Sequence, residues 1–170
     1  MSKSHVILGI DPGTVVTGYG VIRSSSQTWE PLDFGAVRPP YTVKGHHRYL
    51  VIFEALEHLI EKFKPDAVAV ETQFVYKNVQ SALKLGMARG AVIIACARNG
   101  VEVFEYTPKQ AKLAAVGHGS ASKHQVQRMV QMQLKLPSLP EPHDAADALA
   151  LAICHAYYKD MKCLNTSAAS

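Results

Sequence analysis

Length, composition and charge describe an ordinary globular domain. The 170 residues are 48% hydrophobic and 19% charged, with a formal net charge of +4 at pH 7, which is enough chain for one buried core. No stretch approaches the roughly 20 apolar residues of a membrane helix, and residues 6–10 are too short for a signal-peptide core. We therefore expect a cytoplasmic protein with no membrane segment. Its three cysteines lack metal-ligand spacing, which predicts free thiols at Cys96, Cys154 and Cys163.

The first third of the chain predicts an antiparallel meander of three strands, at about residues 5–11, 16–24 and 29–38. The first of these is an apolar, β-branched run that ends in Asp11, directly before Pro12 and Gly13. That pattern is typical of a buried strand leading into a tight turn. Burial of a charge is costly unless the charge is paired or binds a metal, so packing does not explain Asp11.

The remainder predicts helices that alternate with two short strands. Apolar spacing and capping residues predict helices at about residues 45–64, 76–98, from 107, 122–136 and 143–158, and strands at 66–71 and 101–106. Residues 159–170 are expected to be a disordered tail. This order predicts an α/β fold in which helices flank a mixed five-stranded sheet, as a single domain over residues 1–158.

Four acidic residues are expected to meet at one edge of that sheet. Glu71 ends the fourth strand as Asp11 ends the first, and parallel pairing of these strands would place both carboxylates at the edge where α/β folds bind ligands. Asp144 and Asp147 open the last helix about 5–6 Å apart on one face, although favourable charge at a helix N-terminus is an alternative explanation for this pair. Four carboxylates at one sheet edge would repel each other unless bound cations bridged them. Hard oxygen ligands favour Mg²⁺ or Mn²⁺ over Zn²⁺.

The middle of the chain is basic. Between Tyr76 and Leu136 there are nine lysine and arginine residues, opposed only by Glu102 and Glu105. A basic surface of this kind suggests a polyanionic partner. Taken alone, however, a run of charge is more often a solvated face.

Three motifs then stand in order along the chain: Gly-Ile-Asp-Pro-Gly-Thr-x-x-Thr-Gly-Tyr-Gly-Val-Ile at 9–22, Val-Glu at 70–71 with Asn-x-x-Ser-Ala-Leu-Lys-Leu-Gly-x-Ala-Arg-Gly at 78–90, and Asp-Ala-Ala-Asp-Ala-Leu-Ala-Leu-Ala-Ile at 144–153. Together they closely resemble the RuvC family of bacterial Holliday junction resolvases, over about residues 5–157. The resemblance implies a ribonuclease-H-like fold, a homodimer, and magnesium-dependent symmetric nicking of four-way DNA junctions. It also implies coupling to the RuvA–RuvB branch-migration complex.

The resemblance assigns roles to individual residues. The catalytic acids and metal ligands of the family fall on Asp11, Glu71, Asp144 and Asp147, which would hold two Mg²⁺ ions per subunit, with Mn²⁺ as a substitute. Two ions would activate a water and stabilise the leaving 3′ oxygen, giving 5′-phosphate and 3′-hydroxyl ends. Some relatives have a histidine where Asp144 stands. Here His143 precedes it and could assist proton transfer, or it could only cap the connector before the helix.

Further positions are predicted to contact DNA or a second copy of the chain. Lys112 and Lys123 match family positions that contact DNA near the scissile phosphate. Phe74 and Tyr76 follow Glu71, where they could stack on unpaired bases or cover the helix below them. The small residues Ala82, Gly86 and Gly90 form one helix face, explained either by packing on the sheet or by a close helix–helix dimer contact.

Other classes of protein remain to be distinguished. Asp11-Pro-Gly-Thr also resembles the phosphate-binding loop of actin-like ATPases and sugar kinases, but those proteins need a second domain that 170 residues cannot supply. A non-catalytic junction-binding protein would keep the basic surface without needing four acids. A nuclease of the same fold could also act on another nucleic acid. Cleavage of a mobile junction, compared with linear duplex and with ATP turnover, distinguishes these classes.

Overall fold

The structure, a computed structural model, describes residues 4–25, 28–72 and 78–167. The strands in these ranges are β1 (His5–Asp11), β2 (Thr17–Ser25), β3 (Thr28–Val37), β4 (Ala67–Glu71) and β5 (Glu102–Tyr106). The helices are α1 (His47–Phe63), α2 (Val79–Arg98), α3 (Pro108–Val116), α4 (Lys123–Gln133) and α5 (His143–Ser167). Apart from the end of α5, these bounds agree closely with those predicted.

All five strands belong to one mixed sheet, in the order β3-β2-β1-β4-β5. The first three strands pair antiparallel, as the predicted meander requires. After the crossover through α1, β4 pairs parallel with β1, from Ile7 opposite Ala67 to Ile10 opposite Val70. The predicted parallel pairing is therefore confirmed, and Asp11 and Glu71 end neighbouring strands at the same edge of the sheet.

Helices cover both faces of the sheet because its central strands are apolar on both sides. Alternate residues of β1 enter different cores. Leu8 and Ile10 pack with α1 and α2 on one face. Ile7 packs with α3, α4 and α5 on the other. The sheet is thus covered by helices on both faces, so the end of β1, which carries Asp11, is held rigidly.

Helix α5 lies unusually close to the sheet, because glycines of β1 and β2 face its alanine-rich surface. A Cβ atom built on Gly9 would lie 1.9 Å from the carbonyl oxygen of Ala148. One built on Gly18 would lie 2.0 Å from the carbonyl oxygen of Asp144. These contacts set the first turn of α5, with Asp144 and Asp147, against the strand ends.

Helix α2 corrects one expectation. By length and composition alone it could cross a membrane, the one such helix in the described part of the chain, so the statement that no stretch is long and apolar enough is wrong. Its buried residues nevertheless pack in the core with α1. Its exposed apolar residues form a stripe at helical spacing, namely Val79, Leu83, Met87 and Ile94.

Helix α5 extends past its predicted end at Tyr158 to Ser167. Most of the segment expected to be disordered is therefore helical. The apolar pattern used for the prediction stops at the last core residues, but residues 143–167 contain neither proline nor glycine to end a helix. Residues 168–170 lie outside the described ranges.

The cysteines conform to the free-thiol prediction where their side chains are described. Cys96 and Cys154 are buried and unpaired by any disulfide. Burial raises the pKa of Cys96 to about 11 and the pKa of Cys154 to about 12. Both thiols therefore stay protonated at neutral pH and serve as small core residues.

Candidate active site

A cavity of about 220 Å³ opens at the sheet edge where β1 and β4 end. Three of the predicted acids, Asp11, Glu71 and Asp147, line it together with both predicted lysines, Lys112 and Lys123. The five side chains come from five different elements: two strands, α5, α3 and α4. Residues far apart in sequence thus converge, and the cavity combines acidic ligands with cations.

Asp144 lies beside this cavity. It lines a neighbouring groove, formed by the turn at residues 12–16 together with Ser81 and Leu85 of α2, and Asp11 borders both spaces. The charge of Asp144 still reaches the cavity, because it raises the pKa of both Asp11 and Asp147. The predicted four-acid cluster is therefore arranged around Asp11, with three members facing the cavity and one on its flank.

The carboxyl group of Asp11 is the most perturbed acid in the cavity. Burial raises its pKa most strongly, followed by the charge of Glu71, a hydrogen bond with the Glu71 side chain, and the charges of Asp147 and Asp144. Together these effects raise the pKa of Asp11 to about 9. Without a cation, Asp11 therefore carries a proton at neutral pH.

The pKa of Asp147 is also raised, but nearby positive charges partly offset the increase. Burial raises its pKa, while Lys123, whose Nζ lies 3.9 Å from Oδ2 of Asp147, lowers it. Glu71 and Asp144 raise this pKa further, and His143 lowers it. His143 is exposed at the start of α5. Its effect on the pKa of Asp147 is electrostatic. Its part in proton transfer remains a prediction.

The chemistry of the donor set fits a hard divalent cation. Carboxylate oxygens on rigid elements are the ligands that such ions prefer. After burial, which is the largest cause, the charges of Glu71, Asp147 and Asp144 raise the pKa of Asp11, and a bound cation would offset those charges. Within residues 4–25, 28–72 and 78–167, no three acidic, histidine or cysteine side chains are already drawn together around one point.

Capping boxes fix the two helices that carry the lysines. Thr107 accepts a hydrogen bond from the backbone of Gln110 at the start of α3, with Pro108 in the first turn, as predicted. Ser122 and Gln125 form the same reciprocal pair at the start of α4. Because each box satisfies amide groups of the first turn, the starts of the two helices that carry Lys112 and Lys123 are fixed.

The other predicted residues belong to the segment after Glu71 and to α2. Phe74 and Tyr76 fall outside the described residues, so their stacking role stays a prediction. On α2, a Cβ atom built on Gly86 or Gly90 would meet nothing within 4 Å. Packing on the sheet therefore does not explain these two glycines. Ala82 is only partly buried on the same helix.

Sequence reasoning missed Arg48, which braces the turn after Asp11. Its guanidinium donates to the carbonyl oxygen of Thr14 from Nε at 3.3 Å and from Nη2 at 3.1 Å. Nη1 donates to the carbonyl oxygen of Val43 at 3.2 Å. The contact spans 34 residues of sequence, and no local pattern indicates it.

The arrangement defines a class of protein. A mixed sheet with acids ending its two central parallel strands, flanked by a helix that adds further acids, is that of the ribonuclease-H-like nucleases. The yeast mitochondrial Holliday junction resolvase Ydc2 shares this fold, with a TM-score of 0.67 over 91% of this chain and 78% of that chain at 15% identity. At that identity the likeness concerns the fold alone.

Closer relatives identify the family. Residues 7–155 match the family described as crossover junction endodeoxyribonuclease RuvC. The protein of that name from Protochlamydia amoebophila is 56% identical over 95% of this chain and 96% of its own length. The one from Ruminiclostridium cellulolyticum is 47% identical over 88% of this chain and 90% of its own length. The chain belongs to the RuvC family of crossover junction endodeoxyribonucleases, and is thus an enzyme of the nuclease class.

A solved structure agrees with this assignment. Thermus thermophilus RuvC in complex with a Holliday junction substrate has a TM-score of 0.87 at 38% identity, and the match covers 93% of this chain and 96% of that chain. The same protein in a second structure has a TM-score of 0.83, over 92% of this chain and 96% of that one.

The raised pKa of Asp11 predicts how pH affects the stability of the metal-free protein. Between the ordinary value of 3.8 and about 9, the folded protein holds a proton that the unfolded chain releases, so the free energy of unfolding falls as pH rises through this window. Asp11→Asn removes this term. In EDTA, the Tm of this variant relative to that of the unmodified protein should rise by roughly 10 °C between pH 5 and pH 8. Glu54→Gln, at an exposed position, serves as the control; a Tm difference for Asp11→Asn that did not change with pH would contradict the assignment.

Proposed function

We propose that the protein resolves four-way DNA junctions by paired nicks in strands of like polarity, leaving 5′-phosphate and 3′-hydroxyl ends. The observation that carries the proposal is the cavity in which Asp11, Glu71 and Asp147 face Lys112 and Lys123. Acids that can hold a cation and lysines that can hold a phosphate are the two requirements of phosphodiester hydrolysis. The relative whose structure contains a Holliday junction substrate supports the choice of DNA.

We assign the metal to the four acids. Asp11, Glu71, Asp144 and Asp147 would hold divalent cations, two Mg²⁺ per subunit with Mn²⁺ as a substitute, and such ions supply water activation and stabilisation of the leaving oxygen. Asp11 is the central ligand, because it ends a strand that is buried on both faces. Lys112 offsets charge on the phosphate, and His143, which is exposed and affects the pKa of Asp147, accepts or returns a proton.

A single comparison tests the proposal against its alternatives. The protein is incubated with Mg²⁺ and either a mobile four-way junction, a linear duplex of the same sequence, the matching RNA duplex, or ATP. We expect symmetric nicks in the junction and no comparable product elsewhere. Binding without nicking would indicate a junction-binding protein. Equal cleavage of the RNA or linear duplex would indicate another nuclease, and ATP hydrolysis would indicate an ATPase; each of these results would refute the proposal.

The lysines of the cavity should affect the rate more than lysines elsewhere. Lys112→Ala and Lys123→Ala should each lower single-turnover nicking about tenfold or more, because each removes a cation placed to offset charge on the phosphate. Lys62, paired with Asp33, and Lys64, at the far end of the sheet, are matched controls. Their alanine variants should retain nicking within about twofold, as for exposed surface charges. Equal losses in all four variants would argue against a special role for the cavity.

We also propose that the protein acts as a homodimer through α2. A four-way junction has approximate two-fold symmetry, and a closed dimer presents two identical sites to its symmetry-related strands. The exposed apolar stripe of α2, described above, is continuous with the open positions at Gly86 and Gly90. An apolar helix face of this kind is typical of an interface, and the glycines would let two helices approach closely.

A charged residue in this interface should separate the two nicks. The free protein should sediment at about twice its chain mass of 18.5 kDa. Gly86→Glu should shift it to the monomer and convert paired nicks into single nicks, with a smaller effect on the stability of the single chain, in which a Cβ atom at position 86 would meet nothing within 4 Å. Met132→Glu is the control, since Met132 is 69% exposed on α4. A monomer that makes both cuts in one encounter would contradict the dimer.

Three further assignments rest on family membership. We propose one nuclease domain over residues 1–158, action in the cytoplasm on chromosomal junctions, and coupling to the RuvA–RuvB complex. Co-sedimentation with RuvA–RuvB on a junction is the appropriate test of the last point.

A further inference from the structure

The loop between β3 and α1 leaves the sheet at the same edge as the carboxylates. Val37, the last residue of β3, pairs with Thr17 of β2. The next residue of β2, Gly18, pairs with Asp11. Residues 38–47 therefore begin two strand spacings from Asp11, which is roughly 10 Å. They lie on the β3 side of the acids, whereas α3 and α4 carry Lys112 and Lys123 on the side of α5 and β5.

This loop is cationic, and two of its basic side chains are exposed and form no ion pair with the described acids. From residue 34 to residue 53 the chain contains no acidic residue but has Arg38, Lys44 and Arg48, with two histidines besides. Arg38 and Lys44 are exposed. Neither is paired with any acid among the described residues, in contrast to Arg23 and Lys62, which both form ion pairs. Unpaired cations concentrated at one place attract a polyanion.

The loop is also held in place beside the site. Arg48 donates to Val43 in the loop and to Thr14 in the turn that follows Asp11. Within the loop, the amide of Val43 donates to the carbonyl oxygen of Pro40 at 2.9 Å. At the resulting bend, Tyr41 is 88% exposed. A braced loop with an exposed aromatic ring and free cations loses little conformational entropy when it binds a ligand.

We propose that residues 38–47 form a second DNA-contacting surface, which binds the backbone of a duplex arm where it leaves the carboxylate edge. Lys44 and Arg38 contact phosphates, and Tyr41 packs against the sugar–phosphate backbone or an exposed base. Together with Lys112 and Lys123, the loop places cations on both sides of the acids. The inference rests on the proposed junction-resolving function and extends the surface that supports it.

Equal charge reversals at two exposed lysines test the proposal. Lys44→Glu alters the loop, and Lys64→Glu alters the C-cap of α1, at the opposite end of β4 from Glu71. Binding of the full-length protein to a fluorescent junction in EDTA is measured by anisotropy at several salt concentrations. We expect Lys44→Glu to weaken binding about tenfold and to reduce the slope of log K against log salt by about 1, whereas Lys64→Glu changes affinity less than about twofold.

Position is tested separately by crosslinking. Tyr41, or Lys64 as the control, is replaced by the photoreactive amino acid p-benzoylphenylalanine, and the complex is irradiated. Crosslinks to a junction arm from position 41 but not from 64 are expected. Equal affinities for the two charge-reversal variants, or no crosslink at position 41, would overturn the assignment to DNA. Failure of the unmodified protein to bind or nick junctions would refute the proposed function, so the two failures are distinguishable.

Discussion

Asp11→Asn is expected to abolish nicking while the affinity for junctions is kept. The substitution preserves shape but replaces a carboxylate oxygen that could bind a cation, in a buried acid whose pKa is raised by burial and by Glu71. Loss of a metal ligand at this position should cost several kcal/mol of transition-state stabilisation, or a fall in rate on the order of a thousandfold. Lys112 and Lys123, which we propose to contact phosphate, are unchanged, so binding should change little.

Single-turnover cleavage and anisotropy on the same junction measure the two effects. Asp147→Asn should behave as Asp11→Asn does, because Asp147 lines the same cavity. Glu54→Gln makes the same chemical change at an exposed position on α1 and should leave both rate and affinity unchanged. Near-normal nicking by either site variant in Mg²⁺ would show that the acids have been assigned wrongly.

Gly9→Ala is expected to have the largest effect on stability. The added methyl group would lie 1.9 Å from the Ala148 carbonyl oxygen and 2.9 Å from the Ala152 nitrogen. Both are backbone atoms, so no side chain can rotate away and α5 must shift as a whole. Overpacking of this kind costs about 3 kcal/mol, which lowers Tm by about 10 °C in a chain of this length. A displaced α5 also moves Asp144 and Asp147, so nicking should fall even below Tm.

Gly90→Ala is the matched control, and both variants are made in the Gly86→Glu background so that the proposed dimer contact through α2 does not contribute. A Cβ atom at Gly90 meets nothing within 4 Å, and alanine is favoured over glycine within a helix by roughly 0.5–1 kcal/mol. Thermal unfolding in EDTA should therefore shift in opposite directions for the two variants. An unchanged Tm for Gly9→Ala would mean that α5 does not lie as close to β1 as described.

The central acids could be predicted because their positions conflict with packing. A carboxylate at the end of an apolar run, as at Asp11 and Glu71, has no hydrophobic explanation, and parallel pairing follows from the helix between the two strands. The antiparallel meander of β1, β2 and β3 and most helix bounds follow from similarly local patterns. The likeness to known motifs supplied the lysines, which no spacing rule would have distinguished from solvated surface.

What could not be predicted depends on contacts between distant segments. The close approach of α5 requires Gly9 and Gly18 to face particular backbone atoms, and no periodicity shows which strand glycines do so. Arg48 acts through a carbonyl 34 residues away. The buried hydrogen bond at 2.8 Å between Tyr106 and Nδ1 of His155, which joins β5 to α5, was missed for the same reason. Asp144 and Asp147 are both in the first turns of α5, but only Asp147 lines the cavity, whereas Asp144 lines the neighbouring groove.

The most direct test of the carboxylate site is anomalous diffraction from crystals of the protein soaked in Mn²⁺. Manganese is a suitable probe because it prefers the same oxygen ligands as magnesium. We predict anomalous peaks in the space between Asp11, Glu71 and Asp147, with the Asp144 carboxylate turned toward them, and no such peaks in crystals of Asp11→Asn. Manganese bound elsewhere, with this cavity empty in a protein that nicks junctions in the same Mn²⁺ solution, would contradict the account.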